Sequence, residues 1–229
     1  MTEQQTYKLS PSSLSLMEEC PRCFWLHFHG KQRPSGIFPS LPSGMDSILK
    51  KHFDKFMERG ELPPELKENE ECKGCKLFDD ADLLKTWRNN FKGISITDKE
   101  GNILHGAVDN LLIKGKKLIV LDYKTRGFPL KDDTAEHYQN QLNIYNFLLR
   151  KNGYETEDYS FLLFYIPKEV TETGEVIFDT KLVNMKIDVA EAEQTWKKAL
   201  KLLNGECPKK HEGGEEREIC RWCELIASE

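Results

Sequence analysis

Apolar residues recur along this chain with two different periods. Near the start, Ser10-Pro11 places an N-cap ahead of a proline at the first helical position. Leu14, Leu16 and Met17 begin an apolar face there, and Phe24, Trp25, Leu26 and Phe28 extend it past Cys20 and Cys23. Residues 30–43 hold three Pro and two Gly and are predicted to form a loop. A second helix is predicted after Ser43. Ser43 and Asp46 have capping-box-like spacing, and Met45, Ile48, Leu49, Phe53, Phe56 and Met57 recur at helical intervals. Residues 60–80 read as acidic and irregular, and Asp80 is placed to cap a short helix through Trp87 and Phe91. The period then shortens to two. Runs at 93–97, 103–113 and 117–124, separated by turn residues, predict a meander. A helix is expected over about 133–150, strands over 159–166 and 175–187 around Gly174, and a last helix from Asp188 to Leu203. The tail, 204–229, is polar and ends in Cys220-Arg-Trp-Cys223. The expected fold class is α/β, with a central mixed β-sheet flanked by helices. A helical N-terminal portion (1–92), a core (93–205) and a Cys-bearing tail (206–229) would form one structural domain.

Length and composition narrow the function classes. A chain of 229 residues can bury roughly 70–75% of its unfolded surface, so it needs no disulfide framework. Twelve Phe, seven Tyr and four Trp argue against general disorder. No apolar run reaches membrane-spanning length, and the first residues lack the pattern of a signal peptide, so a cytoplasmic location is expected. A net charge of -5 disfavours a passive nucleic-acid coat but allows a local basic track. Seven Cys in such a chain read as metal ligands before disulfides.

The most informative stretch is residues 106–127. A hairpin there would hold Asp109 on one strand and Asp122 and Lys124 on the next. Residues two apart share a face, so Asp122 and Lys124 project together with Leu118 and Val120, and Tyr123 points the other way. An Asp ending an apolar strand is costly to bury unless it meets a cation or several donors. Mg2+ or Mn2+ between Asp109 and Asp122 would satisfy both carboxylates, because hard oxygen ligands select such ions. That pairing suits phosphodiester cleavage. The ion can lower the pKa of water, and Lys124 can orient that water or stabilise transition-state charge. The bland alternative is a surface Asp–Lys pair worth at most about 1 kcal/mol.

These residues follow an order. The chain resembles the PD-(D/E)XK nuclease superfamily, in particular its RecB-like branch, which includes CRISPR-associated exonucleases and the nuclease domains of helicase-nucleases. In that branch a G-x-x-D strand, a D-x-K strand and a Q-x-x-x-Y helix succeed one another. Here they are Gly106-Ala-Val-Asp109, Asp122-Tyr-Lys124 and Gln141-Leu-Asn-Ile-Tyr145. Ser10-Pro-Ser-Ser13 and Cys20-Pro21 match its N-terminal pattern, so the likeness spans about 10–223. The resemblance implies a restriction-endonuclease-like core and a Mg2+- or Mn2+-dependent deoxyribonuclease, an exonuclease, acting in DNA repair, recombination or defence. It implies that Asp109 and Asp122 bind the metal with the backbone carbonyl of Tyr123, and that Lys124 is the catalytic lysine. Gln141 and Tyr145 would flank the site on one helix face. DNA is the implied partner, with a helicase or another repair or defence subunit beside it and no membrane. One departure stands out. The branch usually carries a metal-binding His four residues after an early Gly, and here Gly44 is followed by Ile48. Asp46 is the nearest substitute as a third ligand, although its capping-box spacing explains it equally well, and His52 lies two turns later. The missing His motivates an alternative: a catalytically inactive nuclease-fold module that binds nucleic acid or serves as a scaffold.

Three C-x-x-C pairs occur, at 20/23, 72/75 and 220/223, with Cys207 left over. Cys20, Cys23, Cys220 and Cys223 would form a 2+2 site for Zn2+ or a 4Fe–4S cluster. RecB-like nucleases staple their ends with one early and three late cysteines, which makes Cys207 the alternative ligand. Free buried thiols are the structural alternative, and Cys72 and Cys75 receive no site. Phosphate contacts are expected from Lys116, Lys117, Arg126 and Lys131, which cluster near the hairpin in sequence. Lys209, Lys210 and His211 could add to them, and Phe128, Tyr138 and Trp222 could stack on bases. His105 is expected to share a strand face with Asp109.

Overall fold

The computed structural model describes residues 5–34, 36, 39–210, 220, 222 and 223. His211 lies outside the described residues. The chain opens with a short strand, β1 (Lys8–Leu9), and a helix, α1 (Pro11–Glu19). Ser10 caps α1 as expected: its hydroxyl accepts from the Ser13 N–H, and the Ser13 hydroxyl accepts from the Ser10 N–H. The apolar face does not run on unbroken. Cys20 takes an extended conformation, ends α1 and caps α2 (Pro21–Phe28). The physical reason is Pro21, which disfavours helical geometry in the residue before it.

The next helix, α3 (Ser40–Arg59), corrects the expectation of a start after Ser43. Pro42 falls within its first turn, where backbone N–H groups have no intrahelical partner, so proline costs little there. The Ser43 N–H already donates to the Pro39 carbonyl, and Asp46 is interior rather than part of a capping box. Residues 60–80 are less irregular than their composition suggests. They hold α4 (Pro64–Lys67), a 3-10 turn at Glu70–Cys72 and a short strand, β2 (Cys75–Leu77). Asp80 caps α5 (Ala81–Trp87) as expected, but the helix stops before Phe91.

Two sheets follow. β3 (Ile94–Thr97) and β4 (Ile103–Gly106) pair antiparallel, and β1 adds to β4 in parallel. The run 103–113 does not form one strand. The chain leaves the first sheet after Gly106 and enters a second at β5 (Asn110–Lys114). Between them the Val108 N–H donates to the Trp87 carbonyl and the Arg88 Nε donates to the Asp109 carbonyl, so this backbone is satisfied by the end of α5. His105 therefore belongs to the first sheet, and Asp109 lies outside both strands.

The second sheet has the order β2-β5-β6-β7-β8, with β6 (Lys117–Thr125), β7 (Tyr159–Val170) and β8 (Val176–Lys186). β6 pairs antiparallel with β5 and parallel with β7. The parallel step needs a crossover, supplied by α6 (Gln139–Lys151), and α7 (Val189–Leu203) packs on α6. α6 begins at Gln139 rather than near 133, because residues up to Tyr138 are spent in turns and a 3-10 segment. Asn146 fastens the crossover through a bond from its Nδ2 to the Ser160 hydroxyl, at 2.8 Å.

Both faces of β6 are covered. Leu118 and Val120 join the core under α6 and α1, while Ile119, Leu121 and Tyr123 pack with Leu49 and Phe53 of α3. A strand buried on both sides reads as a continuous apolar run, which accounts for Leu118–Leu121. Asp122 and Lys124 extend the α6 side of that strand. No helix among the described residues is long and apolar enough to cross a membrane.

Candidate active site

The last rung between β5 and β6 joins Asn110 to Leu121. Two residues further on, the Tyr123 N–H has no strand partner on that side. Asp109 takes over: its Oδ2 accepts from the Tyr123 N–H at 3.1 Å. A strand residue's N–H and C=O point to the same side, so the Tyr123 carbonyl leaves β6 on the side from which Asp109 approaches. The Tyr123 ring turns the opposite way from Asp122. It lies 4.6 Å from the Phe53 ring between centroids, and its hydroxyl accepts from Asn110 Nδ2 at 2.7 Å.

Asp122 is 1% exposed. Its Oδ1 accepts from Gln141 Nε2 at 3.3 Å, and its Oδ2 lies 2.5 Å from the Lys124 ammonium. That close contact lacks the direction of a hydrogen bond, so Oδ2 is a buried acceptor without an aligned donor. Burial pushes the Asp122 carboxyl up to about 7; Lys124 opposes the shift and the charge of Asp109 adds to it. Burial also works against the charge of Lys124, but Asp122 and Asp109 outweigh it and raise the lysine. Lys124 donates to Gln141 Oε1 at 3.1 Å and sits 4.4 Å from the Tyr138 ring centroid. The second amide hydrogen of Gln141 goes to the Tyr145 hydroxyl at 2.7 Å. One amide thus ties Asp122, Lys124 and Tyr145 together.

Gly106 explains its place in the G-x-x-D pattern sterically. A Cβ there would stand 2.8 and 2.9 Å from carbons of the Tyr145 ring. Any larger residue would drive the phenol out of its seat against Gln141.

The structure thus brings Asp109, Tyr123, Asp122, Lys124, Gln141 and Tyr145 to one end of β6. Asp46 is placed differently from a bare ligand: its Oδ2 meets the Lys50 ammonium at 2.8 Å, and Lys50 reaches Asp109 Oδ1 at 3.0 Å. Lys50 was not singled out by the sequence, although its i,i+4 spacing from Asp46 was a usable signal. Arg88, which grips the Asp109 carbonyl and Asp54, carried no local signal. Ile48 is 61% exposed, and His52 is engaged by Glu65 at 3.0 Å. Lys116 and Lys117 are corrected as neighbours of the site. Lys116 lies in the hairpin turn and Lys117 begins β6, at the opposite end from Lys124 and, for Lys117, roughly 23 Å away at the usual rise per residue. Arg126 and Lys131 do follow the catalytic end of the strand.

The donors fit a hard divalent cation. The charge of Asp109 is felt at Asp122, Asp109 meets the backbone of Tyr123, and the buried Asp122 Oδ2 has no well-directed partner.

A second cluster joins the two ends of the described chain. The sulfurs of Cys20, Cys23, Cys220 and Cys223 all lie within 4.8 Å of one another. Cys20–Cys223 and Cys23–Cys220 approach to 3.3 and 3.6 Å, and no disulfide forms among the described cysteines. Four thiolates around one tetrahedral ion would stand roughly 3.8 Å apart, so the set fits a structural metal. Burial opposes ionisation of Cys220, but hydrogen bonds from the Cys223 backbone and from neighbouring thiols outweigh it and bring the thiol down to about 7. Cys207 is not in the set; its sulfur accepts from Arg22 at 3.2 Å. Cys72 and Cys75 are buried in the core beneath α3.

The sequence profile of the PD-(D/E)XK nuclease superfamily matches residues 8–228. Among solved structures, one titled "Crystal structure of SSO0001" is similar at 17% identity and a TM-score of 0.43, over 88% of this chain and 79% of that one. No curated protein matches the chain.

Proposed function

The chain belongs to the PD-(D/E)XK nuclease superfamily, and from that premise we propose that it is a metal-dependent nuclease that hydrolyses phosphodiester bonds in DNA. The observation that carries this reading is the meeting of Asp109, Asp122, Lys124 and Gln141 at one end of β6. Asp109 and Asp122, with the Tyr123 carbonyl, would hold Mg2+ or Mn2+. When bound, the ion supplies Lewis acidity and charge screening at the scissile phosphate. Lys124 holds a full positive charge beside that position and stabilises the additional negative charge of the transition state. Gln141 fixes the direction of the ammonium and of Asp122 together, so the group is organised before substrate arrives. Tyr145 holds the amide in place. Exonuclease action in repair, recombination or defence, with a helicase or similar subunit, is the biological role that fits the RecB-like order of motifs. The four-cysteine set would carry Zn2+ or a 4Fe–4S cluster as a staple between the N-terminal helices and the tail.

A second reading is favoured by one observation. Ile48 stands where the branch carries a His, and Lys50 already neutralises Asp109. On that reading the chain binds nucleic acid without cutting it. The purified protein, assayed on single- and double-stranded DNA with Mg2+ or Mn2+, separates the two. Cleavage lost in both Asp122→Ala and Lys124→Ala supports the nuclease. Cleavage that survives both substitutions removes the assignment, and binding without cleavage supports the second reading.

A further inference from the structure

A cleft of about 650 Å³ opens beside the catalytic cluster. Its walls are the start of α1, with Ser12 and Ser15, and the end of β4, with His105. Tyr138, Gln141 and Tyr145 close the side that faces Asp122 and Lys124. The volume lies in the usual range for small-molecule sites, ~300–1,000 Å³.

The chemistry of the lining selects the ligand. No lysine or arginine lines the cleft among the described residues, although phosphate recognition rests on such cations. Its one charged residue, Glu19, is engaged by Arg33 at 2.7 Å. What remains is hydroxyls, amides, imidazoles and two phenol rings. Neutral donors and acceptors beside aromatic surfaces match a nucleobase and its sugar. His105 supplies an imidazole to the β4 wall of the cleft. Burial and then the nearby Lys8 lower its pKa, which keeps the ring neutral.

We propose that this cleft is a nucleoside subsite, which receives one unstacked nucleotide of the substrate next to the scissile phosphate and recognises it through base and sugar. The inference rests on the nuclease reading. Gln141 forms the shared wall, so the occupant lies one side chain from Asp122 and Lys124. Phosphate contacts then fall outside the cleft, on the metal and on Lys124.

The test is binding to the full-length protein in metal-free buffer, measured by calorimetry with deoxyadenosine 5′-monophosphate and with deoxyribose 5-phosphate. The nucleotide is expected to bind at least about tenfold more tightly than the baseless sugar phosphate. His105→Phe keeps a ring and removes both nitrogens. Ser15→Trp, at an exposed helix position that tolerates the change, fills the cleft. Either variant is expected to bring the nucleotide down to the affinity of the sugar phosphate. Equal affinity of the two probes in the wild type, no saturable nucleotide binding at millimolar concentration, or binding that Ser15→Trp leaves unchanged overturns the proposal. A parallel cleavage assay separates the two readings. DNA that is cut while both probes bind alike refutes the subsite alone, and base-selective binding without cutting refutes the nuclease reading alone.

Discussion

Replacing Asp122 by Asn is expected to stabilise the metal-free protein while abolishing its chemistry. The carboxyl is 1% exposed, and its pKa rises from the ordinary 3.8 to about 7. Below the unfolded value the group is protonated in both states, and the stability that protonation contributes is fully present. Between that value and about 7 the folded state holds a proton that the unfolded state has released. Stability then falls by ~1.4 kcal/mol per pH unit. Above about 7 the loss levels off near 4 kcal/mol. An Asn side chain has the same shape and does not titrate; with its oxygen beside Lys124 its amide group faces the Gln141 donor, a cost that is the same at every pH. Denaturant unfolding of wild type and variant, in magnesium-free buffer at pH 5 and pH 8, reads the difference. The stability of the variant relative to wild type should grow by about 3 kcal/mol from the lower pH to the higher one. Added Mn2+ should then raise the stability of the wild type and leave Asp122→Asn unchanged, because only the carboxylate completes the ion site. Parallel pH profiles for the two proteins would refute the account of a strained, buried carboxylate.

Further expectations concern the supports of the site. Gly106→Ala places a Cβ against the Tyr145 ring and should cost about 1–3 kcal/mol, read by chemical denaturation, together with most of the cleavage activity; unchanged stability would show that the ring has room to move. Lys50→Met removes the ammonium that spans Asp46 and Asp109, so Mn2+ followed by electron paramagnetic resonance should bind about tenfold more tightly. Equal or weaker binding would mean that Lys50 does not compete with the ion. Cys20→Ser should remove a stoichiometric metal seen by elemental analysis and lower the melting temperature, because the Cys23–Cys220 contact closes 197 residues of chain and a cross-link of that span contributes up to roughly 5 kcal/mol. Metal content equal to that of the wild type would remove the staple.

Local signals placed many elements where the structure has them. Ser10 before Pro11, Asp80 and Asp188 each cap the helix that follows. A cap works through hydrogen bonds within a few residues, so nothing distant can override it cheaply. The same holds for the faces of β6, where alternation alone separates Asp122 and Lys124 from Tyr123. Other features depended on partners far along the chain. β2 is three residues of an acidic stretch that became a strand because β5 offered it a free edge. Gly106 and Asp109-Asn110 were the only local marks of the break within 103–113, and the end of α5 fixes it by bonding Val108 and Asp109. Lys116 and Lys117 sat near Lys124 in sequence, yet a strand carries its two ends apart.

By itself, then, the amino-acid sequence determined which residue types follow one another at catalytic spacing, which strand carries an acid and a lysine on one face, and which cysteines come in pairs. These are short-range properties, set by the pleat and by the helical turn. Only the tertiary structure decided that Asp109 bends back onto the Tyr123 N–H, that Lys50 and Arg88 hold it there, and that Cys20 and Cys23 meet Cys220 and Cys223. Such contacts join residues from 14 to 203 positions apart, and their energies depend on the packing of whole elements, which no local period records.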